Sequence, residues 1–176
     1  MKPKIFIDGQ AGTTGLEIYQ RLAVRDDIQL ITIEETKRKD KQARKECMNA
    51  ADLVFLCLPD AAAIEAMSLI ENPHTKVIDA STAHRCDDEW AYGFAELGED
   101  YQKRIENNRW VANPGCHATG FISIVYPLRR LGLLKKTDVL QCFSLTGYSG
   151  GGKQMITQYE EHKDALLEAP QLYSLQ

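Results

Sequence analysis

The 176 residues are 44% hydrophobic, enough apolar material for one sizeable domain or one domain plus part of another, which excludes disorder as the default. The formal net charge is -4 with both signs mixed throughout, leaving no basic face for nucleic acid and no polybasic segment for a membrane, so small-molecule work is expected. No apolar run approaches the roughly 18 residues of a membrane span, and the start, Met1 to Lys4, leads into a strand without a signal peptide.

Cys47, Cys57, Cys86, Cys116 and Cys142 lie far apart, with no Cys-x-x-Cys pair and no histidine at ligand spacing. Neither a metal site nor a disulfide framework is expected, and reduced thiols fit a cytoplasmic location.

In chain order, Lys4 to Asp8 reads as a strand, and the glycine turn Gly9 to Gly15 leads into the helical run Leu16 to Leu22. Strand, glycine turn and helix are the context of a dinucleotide loop. The spacing is G-x-x-G-x-x-G, but the logic holds: Gly9, Gly12 and Gly15 permit a tight turn and close approach of a pyrophosphate to helix N-terminal amides. Ala11 lies within that turn, and Thr13 and Thr14 can add hydroxyl donors. A second strand over Ile28 to Ile33 ends where a ribose-recognition residue belongs. There the residues conflict. Glu34 and Glu35 favour a free ribose 2'-hydroxyl and NAD, whereas Lys37, Arg38 and Lys39 favour a 2'-phosphate; Lys37 to Lys45 also reads as a solvated charged segment.

Leu53 to Leu58 is continuously apolar, as a central parallel strand covered on both faces requires, and places Cys57 in the core. A helix is expected over Ala61 to Ile70, packed through Ile64, Met67 and neighbours, followed by a strand over Lys76 to Ala80. Ligands gather beyond the carboxyl ends of such strands, which puts Ser81 to Arg85 in functional territory: Ser81 can donate to a phosphoryl oxygen and Arg85 can fork onto a carboxylate or phosphate. Trp90, Tyr92 and Phe94 read as a packed loop.

Trp110 to Ala112 is a short strand, and Asn113-Pro114-Gly115-Cys116 precedes the helical run Phe121 to Leu131, which Pro127 is expected to kink or shorten. Cys116 therefore sits where a strand hands over to a helix, at the positive end of the helix dipole, which favours thiolate and makes sulfur a nucleophile. Val139 to Leu145 reads as a strand opening a second sheet, and Gly147 to Lys153 as an anion cradle with Lys153 as counter-charge. A polar helix from Met155 to Glu168 carries His162 exposed. Alternating strands and helices predict an α/β chain: a Rossmann-like doubly wound parallel sheet over residues 1–113, followed by an incomplete α+β substrate domain over 114–176.

Four blocks, Lys4 to Gly15, Val77 to Arg85, Val111 to Cys116 and Gly147 to Lys153, together resemble the N-acetyl-gamma-glutamyl-phosphate reductase family of the shorter bacterial type. The likeness runs in order over nearly the whole chain. It implies an NADP-dependent enzyme of arginine biosynthesis, related in fold to aspartate-semialdehyde dehydrogenase and phosphorylating glyceraldehyde-phosphate dehydrogenase. By this resemblance Cys116 is catalytic through a thioester, and Gly9, Ala11, Gly12, Thr13, Thr14 and Gly15 hold NADP(H), with Lys37 or Arg38 near the 2'-phosphate. Ser81, Arg85, Asn113, Gly150 and Lys153 are given to the acyl phosphate substrate, and the full-length form is expected to be a homo-oligomer. The alternatives are a related reductase such as aspartate-semialdehyde dehydrogenase and an inactive nucleotide-binding fragment. Two departures stand out: His117 and Ala118 replace the family's usual tyrosine and proline, and its catalytic histidine falls beyond Gln176. Reductase activity of these 176 residues alone is therefore expected to be small.

Overall fold

The computed structural model describes residues 1–161 and 165–172; His162 lies outside them, as does the side chain of Lys153. Two compact units emerge, Met1–Cys142 and Phe143–Gln176.

The first unit is built on six parallel strands: β1 (Lys4–Asp8), β2 (Gln29–Ile31), β3 (Leu53–Leu56), β4 (Lys76–Asp79), β5 (Ala91–Tyr92) and β6 (Trp110–Ala112), in the order β2-β1-β3-β4-β6-β5. The helices are α1 (Thr13–Ala23), α2 (Lys41–Ala50), α3 (Asp60–Met67), α4 (Glu99–Asn107) and α5 (Cys116–Arg130). The chain leaves β1 for β2 on one side and returns to β3 on the other, so the sheet has a switch point between the carboxyl ends of β1 and β3.

The core lies where β1, β3 and β4 meet their helices: Phe6, Met48, Val54, Leu56, Ala63, Ala66 and Val77 are buried. In β3 the burial alternates, with Val54 and Leu56 at 0% exposure and Leu53 and Phe55 half-buried. The continuous apolar run therefore serves two unequal faces. On α3 the packed face is Ala63 and Ala66, while Ile64 is 57% exposed, contrary to the expected face. Small side chains let the helix lie close on the sheet, and the larger Ile64 turns outward.

Four further elements differ from expectation. The aromatic alternation contains the edge strand β5, flanked by buried Trp90 and Phe94. Helix α4 was not anticipated: its charged sequence buries no residue, and the acids Glu99 and Asp100 in its first turn and Arg104 in its last complement the dipole. Val139 to Leu145 forms no strand, and Val139, Phe143 and Leu145 are exposed at 91%, 92% and 80%. A segment becomes a strand only where its backbone joins a sheet, and among the described residues this one joins none. Helix α5 runs through Pro127 to Arg130 and starts five residues earlier than expected, at Cys116.

Among its described residues the second unit contains a 3₁₀ turn over Tyr148–Gly151, helix α6 (Gly152–Glu161) and a 3₁₀ turn over Ala165–Glu168. Tyr148 stacks on Tyr159 at 4.9 Å, and its hydroxyl donates to Glu160 at 3.2 Å.

Candidate active site

At the switch point, β1 runs into the glycine turn. Gly9 adopts φ +88°, and a Cβ there would sit 2.2 Å from the Cys57 carbonyl oxygen, so only glycine allows the turn to press against the end of β3. Its carbonyl accepts the Gly12 amide at 2.9 Å and closes the turn. Beside it opens a cavity of about 560 Å³, lined by Gly9, Gln10, Ala11 and Leu16 together with Ile33 and Leu58. Of the residues assigned to the cofactor, Gly9, Ala11 and Arg38 line this cavity. Gly15 is buried, and Thr13 and Thr14 open α1 with exposed side chains.

The conflicting charges after β2 partly cancel. Lys37 pairs with Glu34 at 3.1 Å and Arg38 with Glu35 at 3.4 Å, all exposed. Arg38 and Lys39 face the cavity, as does Glu35, whereas Lys37 does not line it.

A pair not identified from sequence forms one wall. Asp8 ends β1, and its carboxylate accepts from Arg44 of α2 through Nε at 3.1 Å and Nη2 at 2.8 Å. Both line the cavity, with side chains 5% and 10% exposed. Burial pushes the Asp8 carboxyl above its ordinary range; hydrogen bonding and charge from Arg44 and the Gly9 amide oppose the rise. The readable signal was an arginine within a basic run opposite an acid at a strand end, but 36 residues separate them.

Further along the same carboxyl edge, β4 and β6 end side by side, with Asp79 in register with Ala112. The Asn113 amide donates to the Asp79 carbonyl at 2.7 Å. The fully buried Asp79 carboxylate gathers the Ser81 amide at 2.9 Å, the Ser81 hydroxyl at 2.6 Å and His84 Nδ1 at 2.6 Å. His84 stacks on Trp90 with centroids 4.1 Å apart. Thr82 donates its amide at 2.9 Å, and its hydroxyl, to Asp60 at the start of α3, and these bonds hold the Asp60 carboxyl below its ordinary range. Arg85 donates through Nε to the Asn113 carbonyl at 2.9 Å and through Nη2 to the Ala80 carbonyl at 3.0 Å. Ser81, Arg85 and Asn113 thus stand together at this edge, beside the start of α5. Gly150 and Lys153 belong to the second unit.

Cys116 is the first residue of α5 and is exposed, with Gly115 as its N-cap. The first helical bond runs from the Thr119 amide to the Gly115 carbonyl at 2.8 Å, so the amides of residues 116–118 precede the ladder at the sulfur's end of the helix. His117 is half-buried and Ala118 exposed. Cys57 contrasts with Cys116: burial, with smaller contributions from Asp79 and Asp8, pushes its thiol up to about 11 and leaves it inert.

Among the described residues, no helix is long and apolar enough to cross a membrane, and no cluster of three acidic, histidine or cysteine side chains could hold a metal.

Residues 32–106 match the family model of the semialdehyde dehydrogenase NAD binding domain. Over 178 aligned residues the chain is 52% identical to proteins named N-acetyl-gamma-glutamyl-phosphate reductase from Brucella canis, Brucella abortus and Brucella anthropi, a match covering 99% of this chain and 57% of each relative. The fold is shared with the aspartate semialdehyde dehydrogenase of Francisella tularensis (TM-score 0.63, 14% identity, 94% of this chain and 53% of that one). It is also shared with aspartate semialdehyde dehydrogenase II of Vibrio cholerae (TM-score 0.60, 15% identity, 99% and 56%). The chain is thus similar over nearly its whole length to proteins named N-acetyl-gamma-glutamyl-phosphate reductase, of which it spans 57%, and its residues 32–106 resemble a semialdehyde dehydrogenase NAD binding domain.

Proposed function

We propose that the chain carries the cofactor-binding and nucleophile-bearing part of an enzyme that reduces N-acetylglutamyl 5-phosphate to N-acetylglutamate 5-semialdehyde with NADPH. The observation that carries the reading is Cys116, exposed at the first residue of α5 on the same carboxyl edge of the sheet that holds the glycine-turn cavity. Residues 1–113 are assigned to the nucleotide and 114–176 to the beginning of the substrate domain.

The cradle fits a dinucleotide. Gly9 presses the turn onto β3, where a Cβ would not fit, and the cavity beside it sets apolar Leu16, Ile33 and Leu58 against the Asp8–Arg44 pair, with Arg38 and Lys39 also lining it. Gly9, Ala11 and Gly12 would border the pyrophosphate, with Thr13, Thr14 and Gly15 opening the helix behind it, and Arg38 or Lys37 would meet the 2'-phosphate. When bound, NADPH supplies the hydride.

The chemistry assigned to the chain's own residues begins with the Cys116 thiolate. Its sulfur attacks the acyl carbon; the S–C bond forms as the C–OP bond breaks, and phosphate leaves with the electron pair. The amides at the start of α5 face the negative charge that gathers on the acyl oxygen. Arg85 and Asn113 at this edge would meet the phosphoryl end, while Ser81, whose hydroxyl and amide both donate to Asp79, supports the edge from within. Acid–base assistance does not come from His84, which is tied to Asp79 and Trp90, nor from His74, which precedes β4 at the opposite edge of the sheet. The assembled enzyme is assigned to the cytoplasm as a homo-oligomer.

The test offers the chain N-acetylglutamyl phosphate and aspartyl phosphate side by side, following phosphate release and acylation of Cys116. The reading expects both signals with the first substrate only, and both lost in C116S while NADPH binding stays. Preference for aspartyl phosphate would transfer the assignment to the aspartate-semialdehyde reaction.

A further inference from the structure

We propose that Arg85 is a positioning residue for Cys116, held to that task by the Asp79–His84 pair. The inference rests on reading Cys116 as the nucleophile.

One guanidinium ties two neighbouring strand ends together: Ala80 follows β4, Asn113 follows β6, and Arg85 donates to the carbonyl of each. Its remaining nitrogen, Nη1, lies so close to Gly115 that a Cβ built there would be 2.6 Å away. Gly115 is the N-cap of α5 and Cys116 the next residue. The fork therefore braces the turn that delivers the sulfur to the helix start. Only a planar guanidinium offers two donors at a fixed angle to two separate carbonyls; a lysine ammonium is a single point.

The loop that carries Arg85 is fastened more firmly than a substrate contact alone requires. Ser81 and His84 both bond the Asp79 carboxylate, the His84 ring lies flat on buried Trp90, and Thr82 bonds Asp60. Asp79 is itself fully buried, beyond the reach of a ligand in the cleft. Its carboxylate acts through His84 and Ser81 on the position of Arg85, and Arg85 acts through the Asn113 to Gly115 backbone on Cys116. Loosening this chain would gain the sulfur no access, because Cys116 is already exposed. It would displace Cys116 from its place in the first turn of α5, where the N-cap backbone sets the direction of its side chain.

The experiment measures alkylation rates at individual cysteines of the 176-residue chain by peptide mass spectrometry, with neutral iodoacetamide and anionic iodoacetate. R85A and R85K are both expected to slow Cys116 roughly fivefold with either reagent, and H84A to slow it less, with the same ratio between reagents. Exposed Cys142 should keep its rate, and Cys57, whose thiol burial pushes up to about 11, should stay unreactive and so report an intact fold. Unchanged Cys116 rates, a loss confined to iodoacetate, or full rescue by lysine would show that Arg85 acts only as a charge for anions and would overturn the proposal. Should R85A expose Cys57, R85K and H84A decide by the same criteria. Failure of the functional reading would appear separately, as a wild-type chain that is never acylated at Cys116.

Discussion

Replacing Arg44 by methionine would leave the Asp8 carboxylate buried beside the nucleotide cavity without its guanidinium. Breaking a buried pair by removing one partner typically costs about 3 kcal/mol or more, so R44M should lower the unfolding free energy by about that amount in denaturant titration. The pair also has a pH signature. Burial outweighs Arg44 in raising the Asp8 carboxyl, so the folded state holds that proton more tightly than the unfolded chain. The contribution of Asp8 to stability is therefore complete below the ordinary value of 3.8 and is lost as pH rises through its raised folded value. In D8N this fall of stability with rising pH should vanish from a series of thermal melts; a wild-type profile that instead rises over the same window would reverse the sign. Gly9 is more exacting still. Alanine at φ +88° costs roughly 1–2 kcal/mol from backbone conformation alone, before the overlap with the Cys57 carbonyl, so G9A should lose NADPH binding. Gly9 was legible in sequence because positive φ selects a residue type. Asp8–Arg44 and Asp79–His84 were not, because a polar contact between side chains leaves no periodic trace and its partners are chosen by the folded sheet.

At the scale of elements, the strands around the core were legible where the chain is apolar for three residues or more, as in β1 and β3. The helix α4 was not, since its stability comes from end charges and contact with the region around β5, without a buried stripe. Val139 to Leu145 has strand-like residues but joins no sheet among the described residues, in keeping with strand propensity becoming a strand only when an edge is offered. The segment after β2 carries a cofactor prediction. Arg38 faces the cavity but is 46% exposed and shares Glu35, so its worth to a 2'-phosphate is that of a screened pair. R38A should weaken NADPH roughly fivefold and leave NADH unchanged in a fluorescence titration. Equal affinity of the wild-type chain for the two cofactors would remove the basic cluster from the site.

At the scale of the molecule, the cavity at the β1–β3 switch point and Cys116 after β6 lie on one carboxyl edge, as the sheet order requires. That shared edge was legible before the structure, because a parallel sheet sends every strand end with ligand-facing loops the same way. On the function proposed above, Cys116 accepts an acyl group from N-acetylglutamyl phosphate. The most direct measurement mixes the chain with that acyl phosphate in the absence of NADPH, quenches in acid, and maps the added mass to a peptide while counting released phosphate. One N-acetylglutamyl group is expected on Cys116, matched by one phosphate and absent from C116S. No acylation, or acylation at another cysteine with Cys116 untouched, would contradict it.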